Sequence, residues 1–285
     1  NNDGIDIEDS NNTFITRCRI DTGDDAICPK SSTGPVYNFT ATNSWIRTKS
    51  SAIKLGSASW YDFKGFLFDN ITIYQSHRGL GFQIRDGGKT SLSHGKWILA
   101  VSESKFRLIN AAASPFAAGN VSDIKFSNIN ISTRYYDPLW WGRAEPIYVT
   151  TCPRDSTSKE GSISNLQFIN ITATSENGIF LSGSKHGILS SLKFINVNLT
   201  YRRRTRFAGG LFDYRPGCEG LVNHSTAGLM MEHIEDLVVQ NVNMRWFEDN
   251  SARWNNPLEC RHSTVNNISF LNFHSGFHSG EVATI

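Results

Sequence analysis

Apolar residues alternate along this chain in short runs, and the runs come in copies. Ile124-Lys-Phe126-Ser-Asn128-Ile-Asn-Ile131 recurs as Leu166-Gln-Phe168-Ile-Asn170-Ile-Thr-Ala173, as Leu192-Lys-Phe194-Ile-Asn196-Val-Asn-Leu199 and as Leu237-Val-Val239-Gln-Asn241-Val-Asn-Met244. Phe66-Leu-Phe68-Asp-Asn70-Ile-Thr-Ile73 precedes them, Ile268-Ser-Phe270-Leu-Asn272-Phe273 follows in degraded form, and Arg17 and Asn43 hold the Asn slot in weaker copies. Period-two alternation on both sides of the Asn predicts a strand, a corner and a second strand. Asparagine suits the corner because it tolerates left-handed backbone, and its amide can bond to the Asn stacked above it.

Slots 17, 43 and 70 are 26 and 27 residues apart, and 170 to 196 is again 26. A period of this size signals stacked repeats, each unable to bury its apolar face alone. The wider gaps, 70 to 128, 128 to 170 and 196 to 241, hold loops or an extra coil. Helix signals are nearly absent, and the repeat is too short for a four-stranded propeller blade. The expected fold is an all-β parallel β-helix forming one domain over residues 1–285. Residues 89–119 carry no copy of the repeat. Removing them joins Ile84-Arg85-Asp86-Gly87-Gly88 to Asn120-Val-Ser-Asp-Ile124 in register. This stretch is expected to be an insertion, either a genuine surface loop or a wrongly retained non-coding segment.

Composition narrows the function classes. Hydrophobic residues make up 39% and charged residues 19% of the 285, which excludes disorder and allows a sizeable core. The net charge of +2 is too balanced for a duplex-DNA binder. No apolar run reaches the roughly 18 residues of a membrane span. Five cysteines without paired CxxC spacing argue against structural zinc, and their odd number leaves at least one unpaired. Nine Asn-x-Ser/Thr sequons, at Asn11, Asn38, Asn70, Asn120, Asn130, Asn170, Asn198, Asn223 and Asn267, suit a secreted glycoprotein, although most lie in a repeat that wants Asn anyway. The chain opens directly on candidate site residues, so it reads as beginning in mid-fold.

The candidate chemistry is acidic. Asp3 lies in Asn1-Asn2-Asp3-Gly4, and Asp24 and Asp25 lie in Thr22-Gly23-Asp24-Asp25, about one coil later. Residues one coil apart stack on adjacent strands about 4.8 Å apart, so the spacing gathers three carboxyl groups. Glycoside hydrolysis needs two, one to protonate the leaving oxygen and one to activate water or attack carbon. Adjacent strand residues face opposite ways, so Asp24 and Asp25 both serve only if the backbone bends there. The bland alternatives are a solvated acidic corner or a calcium site.

Asn-Asn-Asp-Gly-Ile-Asp-Ile followed by Gly-Asp-Asp-Ala-Ile-Cys resembles the paired motifs of glycoside hydrolase family 28, the polygalacturonases and rhamnogalacturonases. The resemblance implies a right-handed, pectin-lyase-like β-helix that hydrolyses pectic polymers with inversion, without metal or cofactor. It implies Asp24 as general acid, with Asp3 and Asp25 positioning and activating water. Two departures stand out. Ser51 occupies the family's histidine slot, and Gln83-Ile84-Arg85 replaces Arg-Ile-Lys; Lys54 and Arg85 are the candidate replacements for the cations that grip a uronate. Trp141, Arg143 and Glu145, in Trp140-Trp141-Gly142-Arg143-Ala-Glu145, suit sugar stacking and charge recognition, or else simply cover the solenoid flank. Arg215 is placed either to clamp a carboxylate or to pair with Asp213. The expected protein is a secreted monomer acting on an acidic polysaccharide, with no nucleic-acid or membrane partner. A lyase on the same fold, or an inactive carbohydrate-binding solenoid, are the competing readings.

Overall fold

The computed structural model describes residues 2–86, 99–102, 105–108, 119–207, 211–224, 226–247, 254, 256–261, 264–277 and 282–284. Most of the stretch 89–119 lies outside the described residues. Two parallel ladders carry the architecture, and no α-helix occurs among the described residues. An eight-stranded sheet stacks short strands in the order β1 (Ile5–Glu8), β4 (Ile27–Lys30), β6 (Ser51–Ser57), β8 (Arg78–Ile84), β12 (Ile147–Thr150), β14 (Ile179–Ser182), β18 (Leu229–Glu232) and β20 (Leu258–Cys260). A ten-stranded sheet stacks β2 (Phe14–Thr16), β5 (Val36–Thr48), β7 (Phe63–Ser76), β11 (Val121–Thr133), β13 (Ile163–Ser175), β15 (Leu189–Tyr201), β19 (Ile234–Trp246), β21 (Val265–Phe277) and β22 (Val282–Thr284), with β3 (Arg19–Thr22) also on β5. The chain alternates between the two, one strand of each per coil: a parallel β-helix. Two short antiparallel pairs stand outside them, β9 (Leu99–Ser102) with β10 (Lys105–Leu108) and β16 (Leu211–Asp213) with β17 (Leu221–Asn223).

The wide gaps in the repeat are loops rather than extra coils, because β7 pairs directly with β11 and β15 directly with β19. The core lies between the ladders and is stacked as well as packed. In four successive coils the residue two before the corner Asn is a Phe, and these form a column: Phe68–Phe126, Phe126–Phe168 and Phe168–Phe194 stack at 4.7, 5.3 and 4.7 Å between centroids. Each fully buried Phe contributes roughly 1.5–3 kcal/mol.

The Asn slot is a corner with positive φ in every coil, from Arg17 and Asn43 through Asn70, Asn128, Asn170, Asn196, Asn241 and Asn272. Amides bridge coil to coil, with Asn70, Asn170, Asn196, Asn241 and Asn272 donating to Asn43, Asn128, Asn170, Asn196 and Asn241 at 2.7–3.1 Å. The ladder is broken at Asn128, which donates instead to Asp69 at 2.8 Å, and at Asn43, which donates to Thr42 Oγ1 at 3.2 Å.

A second corner precedes the first by five residues in every coil, with positive φ at Asn12, Asn38, Gly65, Asp123, Asn165, Ser191, Asp236 and Asn267. It bends each long strand twice. The buried positions of β15 therefore run Leu189, Leu192, Phe194, Val197, Leu199 and Tyr201, with a three-residue step at each corner.

Candidate active site

The site begins where the first two coils touch. Gly4 N donates to Asp25 O at 2.8 Å and Asp24 N to Asn2 O at 3.2 Å, so the two acidic segments run edge to edge. A Cβ at Gly4 would lie 2.5 Å from Ala26 O, which is why glycine follows Asp3. The chain bends at Gly23 and Asp24. As a result Asp3, Asp24 and Asp25 all line one cavity of about 540 Å³, floored by Lys30, Ser50 and Lys54 and walled by Leu139, Trp140 and Trp141.

The three carboxyls differ in their partners. Asp25 is 3% exposed and accepts from Lys54 Nζ at 2.6 Å, Ser50 Oγ at 2.7 Å and Ser51 N at 3.1 Å. Burial opposes its ionisation, but the Lys54 ammonium and these hydrogen bonds outweigh it and hold the carboxyl below its ordinary range. Lys54 answers in kind: burial disfavours its charge, yet Asp25 raises its pKa. Asp3 accepts from Lys30 Nζ at 2.8 Å, and the same ammonium reaches Asp6 at 2.8 Å. Asp24 takes only the backbone N–H of Asp25, at 2.9 Å, and no cation lies within ion-pair distance of it among the described residues.

One oxygen each of Asp3 and Asp25 and the Cys28 sulfur lie within 4.8 Å of one another. This donor set does not suit a divalent cation. Both carboxylates already accept an ammonium, and burial pushes the Cys28 thiol far from its thiolate.

The remaining expected residues sit elsewhere. Arg85 is buried and donates to Tyr214 O at 2.9 Å, Cys152 O at 3.3 Å and Tyr148 Oη at 3.0 Å. Gln83 is 1% exposed and is not at the cavity. Neither side chain lines the cavity: Gln83 is buried near the end of β8, and Arg85, just after β8, is committed to these partners. Glu145 accepts from Arg143 N at 2.8 Å and Arg78 Nε at 3.3 Å, and Arg143 donates to Gly142 O at 2.9 Å. Arg215 pairs with Asp213 at 2.8–2.9 Å and donates to Trp140 O at 2.7 Å. These three charges build the loop that carries Trp140 and Trp141. Arg143, Glu145 and Arg215 do not line the cavity, whereas Trp140 and Trp141, the latter 41% exposed, do.

Lys30 and Ser50 escaped the sequence reading. Lys30 stands 27 residues from Asp3, and Ser50 stands 25 from Asp25. That is coil spacing, a signal applied to the acids but not to their neighbours. Arg78, a buried cation, pairs in register with Ser51 and lies 3.7 Å over the Tyr148 ring.

No protein-family model and no curated protein matches the chain. Among solved structures it is similar to the endo-xylogalacturonan hydrolase of Aspergillus tubingensis, at 12% identity and a TM-score of 0.27, over 98% of this chain and 83% of that one.

Proposed function

We propose that this protein is a glycoside hydrolase acting on an acidic, pectic-type polysaccharide. The observation that carries the reading is the meeting of Asp3, Asp24 and Asp25, from consecutive coils, in one cavity walled by Trp140 and Trp141. Asp24, the carboxyl without a cation, protonates the leaving glycosidic oxygen. Asp3 and Asp25 flank the attacking water, and Asp25, kept ionised by Lys54, takes its proton. The indole faces stack on sugar rings. Lys30 engages two carboxylates and Lys54 one, so ammonium donors remain at the cavity floor for a uronate carboxylate. Lys54, ion-paired and with its pKa raised, is a poor proton abstractor, which favours hydrolysis over elimination.

Secretion is part of the proposal, supported by the Cys152–Cys218 disulfide, a bond that persists in oxidising compartments. The monomeric state is proposed with it.

The test is reducing-sugar release from homogalacturonan, xylogalacturonan and rhamnogalacturonan. Asp24→Asn is expected to lower the rate by about 10²–10⁴ on the polymer that is cleaved. Equal rates in both proteins would sink the assignment, and products bearing an ultraviolet-absorbing double bond would transfer it to the lyases.

A further inference from the structure

The eight-stranded sheet is partly exposed over its first strands and again at β20, and is covered between them, over β8, β12, β14 and β18. Over β1, β4 and β6, Asp6 is exposed and Lys30 and Lys54 line the cavity, while Cys28, between Asp6 and Lys54 in register, is buried. Over β12, β14 and β18 every residue is buried on both faces. The outward row Tyr148, Phe180 and Met230, in register across these strands, packs beneath Phe212, Tyr214 and Ala227 in a second apolar cluster. Phe180 meets Phe212 and Tyr214 edge-on at 5.5 and 5.1 Å.

This cover is tied down by polar groups. Tyr148 Oη donates to Asp213 O at 2.7 Å, Tyr214 Oη to Glu232 at 3.1 Å, and Arg85 to Tyr214 O, while the disulfide joins Cys218 of the cover to Cys152, which follows β12. The cover also fixes the tryptophan wall. The Asp213 carboxylate accepts from Gly142 N at 2.7 Å, and Arg215 holds both Asp213 and Trp140 O. Burial opposes the charge of Asp213, but Arg215 and the Gly142 N–H keep it ionised.

A polymer lying across the strands of such a sheet runs along the stack of coils. Here its path past Asp3, Asp24 and Asp25 meets Leu139, Trp140 and Trp141, and behind them a packed apolar layer instead of a continuing groove. We infer that the covered half of the sheet is a built stop, so that the site receives the end of a glycan chain and releases short products from it. The inference rests on the hydrolase reading above, and Asp213 and Arg215 act in it as positioning residues for the wall.

The experiment follows product size and viscosity together during digestion of the same three polymers. The expected result is one short product from the earliest time, with viscosity falling only in step with the mass released. A ladder of oligomers with early collapse of viscosity, at the same reducing-end yield, overturns the stop and leaves the hydrolase standing. No reducing ends from any polymer overturns the hydrolase reading, and the stop falls with it. Arg215→Gln loosens the wall and is expected to shift products towards longer oligomers. If that variant does not fold, Cys152→Ser/Cys218→Ser loosens the cover from the other side and is expected to produce the same shift. An unchanged product distribution in a folded variant counts against the stop.

Discussion

Asp25 is 3% exposed at the cavity, and all three donors to its carboxylate come from the next coil, at Ser50, Ser51 and Lys54. Its ionisation is therefore a property of the stacking and not of the Gly-Asp-Asp tripeptide. Because its folded pKa is depressed below the ordinary 3.8, the pair stabilises the fold above that pH and the contribution is lost as pH falls through the depressed value. Lys54→Met leaves a buried carboxylate without its cation, at a cost of about 3–5 kcal/mol. It also raises the Asp25 pKa, so the acid limb of kcat/KM moves to higher pH, whereas Lys54→Arg keeps the charge and moves it less. Denaturant titration and a pH–rate profile measure the two effects, and an acid limb that stays put in Lys54→Met would remove Asp25 from the chemistry. The acids were legible because three residues of one type recur at coil spacing. Arg85 lies under the cover and away from the cavity, a placement that a motif position cannot reveal because it is set by residues 67 to 129 positions away.

At the scale of a strand, the corner asparagine does two jobs that can be separated. Asn170 holds φ at 55° and shares amide bonds with Asn128 at 3.0 Å and Asn196 at 3.1 Å. Asn170→Gly keeps the left-handed backbone and loses the ladder, while Asn170→Ala loses both. With about 0.5–1.5 kcal/mol per hydrogen bond and about 1–2 for an L-residue in this conformation, alanine is expected to destabilise by about 2–4 kcal/mol. Glycine is expected to fall in between, as thermal melts of the three proteins would record; equal melting temperatures would show that the ladder contributes nothing. The first corner was readable from one repeated Asn. The second was not, because Asn12, Asn38, Gly65, Asp123, Asn165, Ser191, Asp236 and Asn267 share only the capacity for positive φ. Its trace was the three-residue step between buried positions, as from Leu189 to Leu192. The same ladders bear on the sequons. Asn38, Asn70, Asn170 and Asn267 donate their amides to the coil below, whereas Asn130 and Asn198 sit exposed on outward faces.

The whole molecule joins a regular solenoid, specified by short-range repetition, to a cover specified by contacts far apart in sequence. Arg85 to Tyr214 spans 129 residues and Gly142 to Asp213 spans 71, so no local pattern announces either. His77 sits where the two parts meet. Its Nδ1 accepts from Tyr136 N at 3.1 Å and its Nε2 faces Gly142 O at 3.2 Å, which assigns the proton to Nε2 and leaves the ring neutral at the base of the tryptophan wall. Burial, with Arg78 and Arg143 adding to it, depresses its pKa from 6.5 to about 4, against the opposing pull of Gly142 O and Asp213. A second proton would sit on Nδ1, pointing at an N–H. Between pH 6.5 and about 4 the unfolded chain binds a proton that the folded chain refuses. Stability attributable to this site is thus complete above pH 6.5 and falls as pH drops, by about 1.4 kcal/mol per unit and about 3 kcal/mol across the window. His77→Gln can still accept from Tyr136 and donate to Gly142 but cannot charge, so its stability is expected to stay flat over that window. The Asp25 contribution is constant above pH 3.8 and changes only below it, outside this window, so the two effects separate. Urea unfolding at pH 7, 6, 5 and 4.5 distinguishes the curves; parallel slopes for the wild-type protein and His77→Gln would mean that the wall is anchored by something other than a neutral imidazole.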